Sequence, residues 1–116
     1  MKKIKLCFDL DGVICTTVKK NYRKSKPKKK IIKLINELSK KYIIIIFTAR
    51  YMGRNNDNVR LAKKQGYDFT FKQLKNWKID FDKLVFGKPS YDFYVDDKAY
   101  GYDKNWYKNL RKNIKF

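Results

Sequence analysis

The stretch Lys3 to Ile14, KIKLCFDLDGVI, constrains the fold most, because it runs an apolar strand straight into two carboxylates. Ile4, Leu6, Cys7 and Phe8 are apolar, and Asp9, Asp11 and Gly12 follow without a break. Burying a carboxylate costs free energy unless a cation compensates it, and for two of them a hard divalent ion is the natural partner. Alternation along an extended chain points Asp9 and Asp11 to one side and turns Leu10 into the core. Gly12 then lets the backbone turn. The bland alternative is a strand end with two solvated acids. An EF-hand loop fits worse, since Val13 stands where a third ligand belongs and Gly12 comes early.

A chain of 116 residues makes one domain, spanning 1–116, with a single core. Its net charge of +19 by itself suggests an anionic partner such as nucleic acid or a membrane surface. The 25 lysines against 5 arginines weaken that implication, because phosphate and base recognition favours the planar fork of arginine. There is no histidine, so proton transfer falls to Asp, Glu, Lys, Tyr or water, and His-based triads are excluded. Cys7 and Cys15 read as reduced thiols of a cytoplasmic protein. Asp9 and Asp11 interrupt the apolar run too soon for a signal peptide, and no stretch is long enough for a membrane span.

Along the chain, Thr16 to Lys30 reads as a basic loop, with Pro27 in the first turn of the helix that follows. Ile31, Ile32, Leu34, Ile35 and Leu38 form that helix's apolar stripe. Tyr42 to Phe47, YIIIIF, is the pattern of a buried strand, and it ends abruptly in Thr48, Ala49 and Arg50. Asp57 is placed to cap a short helix that Gly66 closes, and Thr70 to cap a second one running to Trp77, where YDFTF reads equally well as a strand. Leu84 to Phe86 and Tyr91 to Val95 read as strands, the first followed by Gly87, Lys88 and Pro89, the second by Asp96 and Asp97. Lys104 to Asn113 suits an amphipathic helix.

Strands alternating with helices favour an α/β fold: a Rossmann-like three-layer sandwich with a mostly parallel central sheet. Ligands of such sheets sit beyond the carboxyl ends of the strands. Every polar cluster here follows a strand, and 4 of the 11 acidic residues fall into the pairs Asp9/Asp11 and Asp96/Asp97. Each residue type has a task in hydrolysing a phosphomonoester. Asp9 would attack phosphorus and form an aspartyl-phosphate, and Asp11 would serve as acid and base. Asp96, Asp97 or both would hold Mg²⁺ with Asp9, while Thr48 and Lys88 bind phosphoryl oxygens.

The ordered set DLDGVI, FTAR, FGKP and VDD resembles the four signatures of the haloacid-dehalogenase-like superfamily, over nearly the whole chain. The resemblance implies a Mg²⁺-dependent phosphatase with Asp9 as nucleophile and Asp11 as acid/base, Asp11 adding its backbone carbonyl to the metal. It makes Thr48, Ala49, Arg50 and Lys88 the phosphate-binding positions, and Asp96 a metal ligand supported by Asp97. WKIDFDKLVFGKPSYDFYVDDKA with Trp106 is similar, more narrowly, to small phosphatases of capsule and surface polysaccharide biosynthesis. The loops after Asp11 and after Arg50 are too short for a large cap domain. Capless members take larger substrates or borrow a lid from a neighbouring subunit, which leaves an oligomer open. The substrate expected is a phosphorylated sugar or related metabolite. The alternatives are a polynucleotide 3′-phosphatase, which would suit the charge, and a catalytically weak phosphate-binding protein.

Overall fold

A computed structural model describes residues 4–114. Lys3, the first residue of the expected strand stretch, lies outside them. Strand β1 (Lys5–Asp9) pairs in parallel with β4 (Ile43–Thr48), and β4 pairs in parallel with β5 (Lys83–Phe86), giving the order β1-β4-β5. Between β1 and β4 lie a two-residue ladder, β2 (Cys15–Thr16) against β3 (Lys26–Pro27), and helix α1 (Lys29–Leu38). Helix α2 (Val59–Asn76) connects β4 to β5, and a short α3 (Leu110–Asn113) closes the described chain. This is the small Rossmann-like α/β architecture expected.

The register explains the core. Phe8 pairs with Ile46, Ile46 with Leu84, and Thr48 with Phe86, so one face of the sheet is buried from edge to edge. The stripe Ile31, Ile32, Ile35 and Leu38 of α1 is buried in the same cluster. On the opposite face Ile43, Ile45 and Phe47 are half-buried, and Cys7 and Val85 are exposed. Asp82 fixes the start of β5, its amide donating to the Ile44 carbonyl and its carboxylate accepting from the Ile44 amide at 2.8 Å.

Four expectations need correction. The two short helices expected between Asp57 and Trp77 are one continuous helix, capped by Asn58, whose side chain accepts the Leu61 amide at 3.1 Å. Gly66 does not end it. A Cβ at Gly66 would stand 2.2 Å from the Tyr51 ring, so the glycine is there for the ring to lie against the helix. Pro27 lies in β3 rather than in α1, and the basic segment after Asp11 is folded back by the β2–β3 ladder. Tyr91 to Val95 forms no strand. Asp57 accepts from the Ser90 amide and hydroxyl at 3.1 and 2.9 Å, and the Lys88 ammonium lies 5.3 Å from the Tyr91 and Tyr94 rings. These local contacts hold the segment off the sheet, with Phe93 85% and Val95 83% exposed. The expected tail helix is broken into a 3-10 turn at Trp106–Lys108 and α3.

Gly66→Ala should therefore destabilise the chain by about 1–3 kcal/mol, as overpacking does, despite alanine's better helix propensity. Urea unfolding checks this, and a gain in stability would contradict the packing of Tyr51 on α2.

Candidate active site

The carboxyl ends of β1, β4 and β5 open into a cavity of about 470 Å³ lined by Asp9, Asp11, Ala49, Arg50, Lys88 and Tyr91 among others. Its position is dictated by the parallel sheet, whose strands all stop at this rim. Asp9 is the last residue of β1, and Leu10 behind it is fully buried. Asp9 and Asp11 both line the cavity. Lys88 follows β5, and its Nζ stands 3.6 Å from Asp9 Oδ2. Burial pushes the Asp9 carboxyl above its ordinary value, while Lys88 and the Leu10 amide, at 2.9 Å, pull it down. Lys88 is itself raised: burial opposes its charge, and the Tyr91 hydroxyl and Asp9 outweigh burial.

Asp11 is held differently. Arg50 Nε donates to its Oδ2 and Nη2 to its Oδ1, both at 2.9 Å, and the Thr17 hydroxyl donates to Oδ1 at 2.5 Å. The remaining Arg50 donors reach Gln73 Oε1 at 2.7 Å, Ser25 Oγ at 3.3 Å and Thr70 Oγ1 at 3.4 Å. Gln73 donates in turn to the Tyr22 carbonyl at 2.8 Å. Arg50, expected to bind phosphate, is thus 1% exposed with its fork committed to the protein's own acceptors. It positions Asp11 instead. Thr48 is fully buried and its hydroxyl accepts the Arg50 amide at 3.1 Å, so it shapes the strand end without lining the cavity. Ala49 does line it.

Asp96 and Asp97 lie outside the cavity in an exposed turn. Asp96 accepts from the Lys98 amide at 2.9 Å and the Tyr94 hydroxyl at 2.8 Å, which hold its carboxyl below the ordinary range. The donor chemistry, hard carboxylate oxygen, suits Mg²⁺. The placement expected for these ligands is not the one found: among the described residues no three acidic or cysteine side chains are grouped closely enough to hold a metal ion.

Sequence reasoning missed Ser25, Thr70 and Gln73, which no local pattern marks as acceptors of one guanidinium, and Thr17, whose hydroxyl donates to Asp11. The signal present was Arg50 itself, an arginine at a strand end in a chain that otherwise chooses lysine.

No family model matches the chain. It is 33% identical over 69 residues to a bifunctional riboflavin kinase/FMN adenylyltransferase of Buchnera aphidicola subsp. Acyrthosiphon pisum (strain APS), a match covering 59% of this chain and 22% of that enzyme. A crystallised target protein from Vibrio cholerae superposes with a TM-score of 0.79 at 25% identity, covering 95% of this chain and 98% of the other. A chain of a Pnkp1/Rnl/Hen1 complex superposes with a TM-score of 0.52 at 17% identity, covering 96% of this chain and 34% of that one. The likenesses agree on the fold. Among the described residues no helix is long and apolar enough to cross a membrane.

Two outcomes follow from this geometry. Arg50→Ala removes one partner of a largely buried ion pair and strands the acceptors around it, so it should cost about 3 kcal/mol or more in urea unfolding. A cost under about 0.5 kcal/mol, typical of a surface change, would contradict the network. The Asp9 carboxyl, followed by carbon-detected NMR, should titrate above 3.8. Because its folded value is raised, ionising Asp9 subtracts stability as pH rises through that midpoint. A midpoint at or below 3.8 would overturn the burial argument.

Proposed function

We propose that the chain is a phosphomonoester hydrolase that works through an aspartyl-phosphate at Asp9. The observation that carries the proposal is the pairing of Asp9 with Lys88 at the cavity rim, a carboxylate aimed into the cavity with a cation 3.6 Å from it. An Asp9 oxygen attacks phosphorus and the bond to the ester oxygen breaks, while the ammonium of Lys88 holds phosphoryl oxygens whose charge repels the attacking carboxylate. The leaving oxygen takes a proton. Water then attacks the phosphoryl group, gives up a proton and releases inorganic phosphate, and Asp9 is restored.

Asp11, the second cavity-lining carboxyl, is the group proposed to give and recover that proton. Arg50 fixes its place, and for this role Asp11 must exchange one of its present donors for the substrate oxygen. Mg²⁺ at Asp9 would offset the charge between carboxylate and phosphate; Asp96 and Asp97 lie outside the cavity and are not grouped with Asp9 to share it. The substrate proposed is a phosphorylated sugar or related metabolite, in keeping with the similarity to polysaccharide-biosynthesis phosphatases. The net charge of +19 favours one other reading, a 3′-phosphatase acting on nucleic-acid ends.

Purified chain with Mg²⁺ should hydrolyse p-nitrophenyl phosphate, and Asp9→Asn should lower turnover by about a thousandfold or more, since the nucleophile is lost. Undiminished turnover by the variant would remove Asp9 from the chemistry. Absence of turnover by the wild type across sugar phosphates, nucleotides and 3′-phosphorylated DNA ends would favour a phosphate-binding protein.

A further inference from the structure

The cavity holds more cations than one phosphate needs. Lys88 stands beside Asp9, whereas Lys20 and Arg54 line the same cavity from two other segments and take no part in the network around Arg50. Among the described residues neither side chain makes a hydrogen bond or ion pair. Their positions are nevertheless defined. The Arg54 guanidinium lies 4.6 Å from the Tyr51 ring centroid and 5.6 Å from that of Tyr22, and the two rings are 5.0 Å apart. The Tyr51 ring is fixed by Gly66, where any side chain would collide with it. Lys19 and Lys20 both adopt left-handed backbone, with φ of 50° and 58°, a costly choice for residues with a Cβ. That turn brings the Lys20 Nζ within 3.3 Å of where a Gly53 Cβ would stand.

A guanidinium stacked on a ring keeps its in-plane N–H donors free, and those donors match phosphate. The rings offer little to a base. Tyr22 has Arg50 at 4.7 Å as well as Arg54, and Tyr51 has Gly66 and Arg54. Their π-faces are spent on holding cations, which leaves guanidinium and ammonium donors as the groups available to a ligand. The cavity's 470 Å³ falls within the usual size of a small-molecule site, well beyond a lone phosphate.

We propose that Lys20 and Arg54 form a second phosphate subsite, so that the substrate carries one phosphoryl group at Asp9 and Lys88 and another phosphate at Lys20 and Arg54. The proposal rests on the phosphomonoester reading of the Asp9 site and narrows it to substrates with two phosphates. The second phosphate is either a monoester on the same small molecule or a backbone diester at a nucleic-acid end.

The test is equilibrium binding by calorimetry at physiological ionic strength, which needs no turnover. A hexose bisphosphate is compared with the corresponding hexose monophosphate, and a 3′-phosphorylated dinucleotide with a 3′-phosphorylated nucleoside. Each pair is titrated into wild type, Lys20→Ala/Arg54→Ala, and a charge-matched control, Lys40→Ala/Lys112→Ala, whose residues are exposed and lie outside the cavity. Wild type should prefer the doubly phosphorylated member of at least one pair by about tenfold, as two charge-assisted contacts allow. The preference should fall to about twofold or less in the cavity variant and persist in the control. The pair that shows it identifies the source of the second phosphate. No preference in wild type, or equal loss in the control, would overturn the subsite and leave only the general field of a basic protein. A wild type that binds with this preference yet hydrolyses nothing would refute the phosphatase proposal and keep the subsite.

Discussion

The arrangement of the site depends on the buried guanidinium of Arg50. A charge removed from water must have its donors met, or the folded state bears a cost comparable with its whole stability. Here the acceptors come from every segment around the cavity: Asp11 after β1, Ser25 before β3, Thr70 and Gln73 on α2. One cation thus fixes the loop after the first strand against the helix after the second. The Tyr22 ring packs over the same guanidinium and its carbonyl takes the Gln73 amide, so the basic segment between β2 and β3 is tied in as well.

That commitment sorts the carboxylates into different duties. Asp11 is compensated at short range on both oxygens and is part of the frame. Asp9 has a looser partner in Lys88 at 3.6 Å, along with the Leu10 amide. A pair of that separation exchanges partners more readily than a bidentate fork. The same division runs through the cations. Arg50 lines the cavity but is buried, with its donors committed to the protein's own acceptors. Lys20 and Arg54 line it outside that network, and Lys88 has the looser pair with Asp9. A surplus of thirty basic over eleven acidic residues raises the local concentration of anions near such a mouth, but the surplus alone selects none of them.

Much of this was legible in the sequence. The apolar runs ending in Asp9, in Thr48 to Arg50 and before Lys88 placed three strand ends on one rim, because strand length and burial are encoded locally. The partners of Arg50 were not legible, since acceptors scattered from Asp11 and Ser25 to Thr70 and Gln73 converge only through tertiary packing. Gly66 fits a helix end by a sound local rule, and that rule loses to the space that Tyr51 needs. Tyr91 to Val95 has a strand's composition, yet the contacts of Lys88 with Tyr91 and Tyr94, and of Ser90 with Asp57, keep it out of the sheet. A strand there would set Asp96 and Asp97 beside Asp9; without it they lie in an exposed turn outside the cavity, although Tyr91 lines it.

The central claim is that Asp9 itself becomes phosphorylated. The direct measurement is acid quenching of the chain during turnover of p-nitrophenyl phosphate labelled in its phosphoryl group, followed by mass-spectrometric mapping of the labelled peptide. A hydroxylamine-labile phosphoryl group on Asp9 is expected; label on another residue, or turnover with no labelled protein at any quench time, would remove Asp9 as the nucleophile.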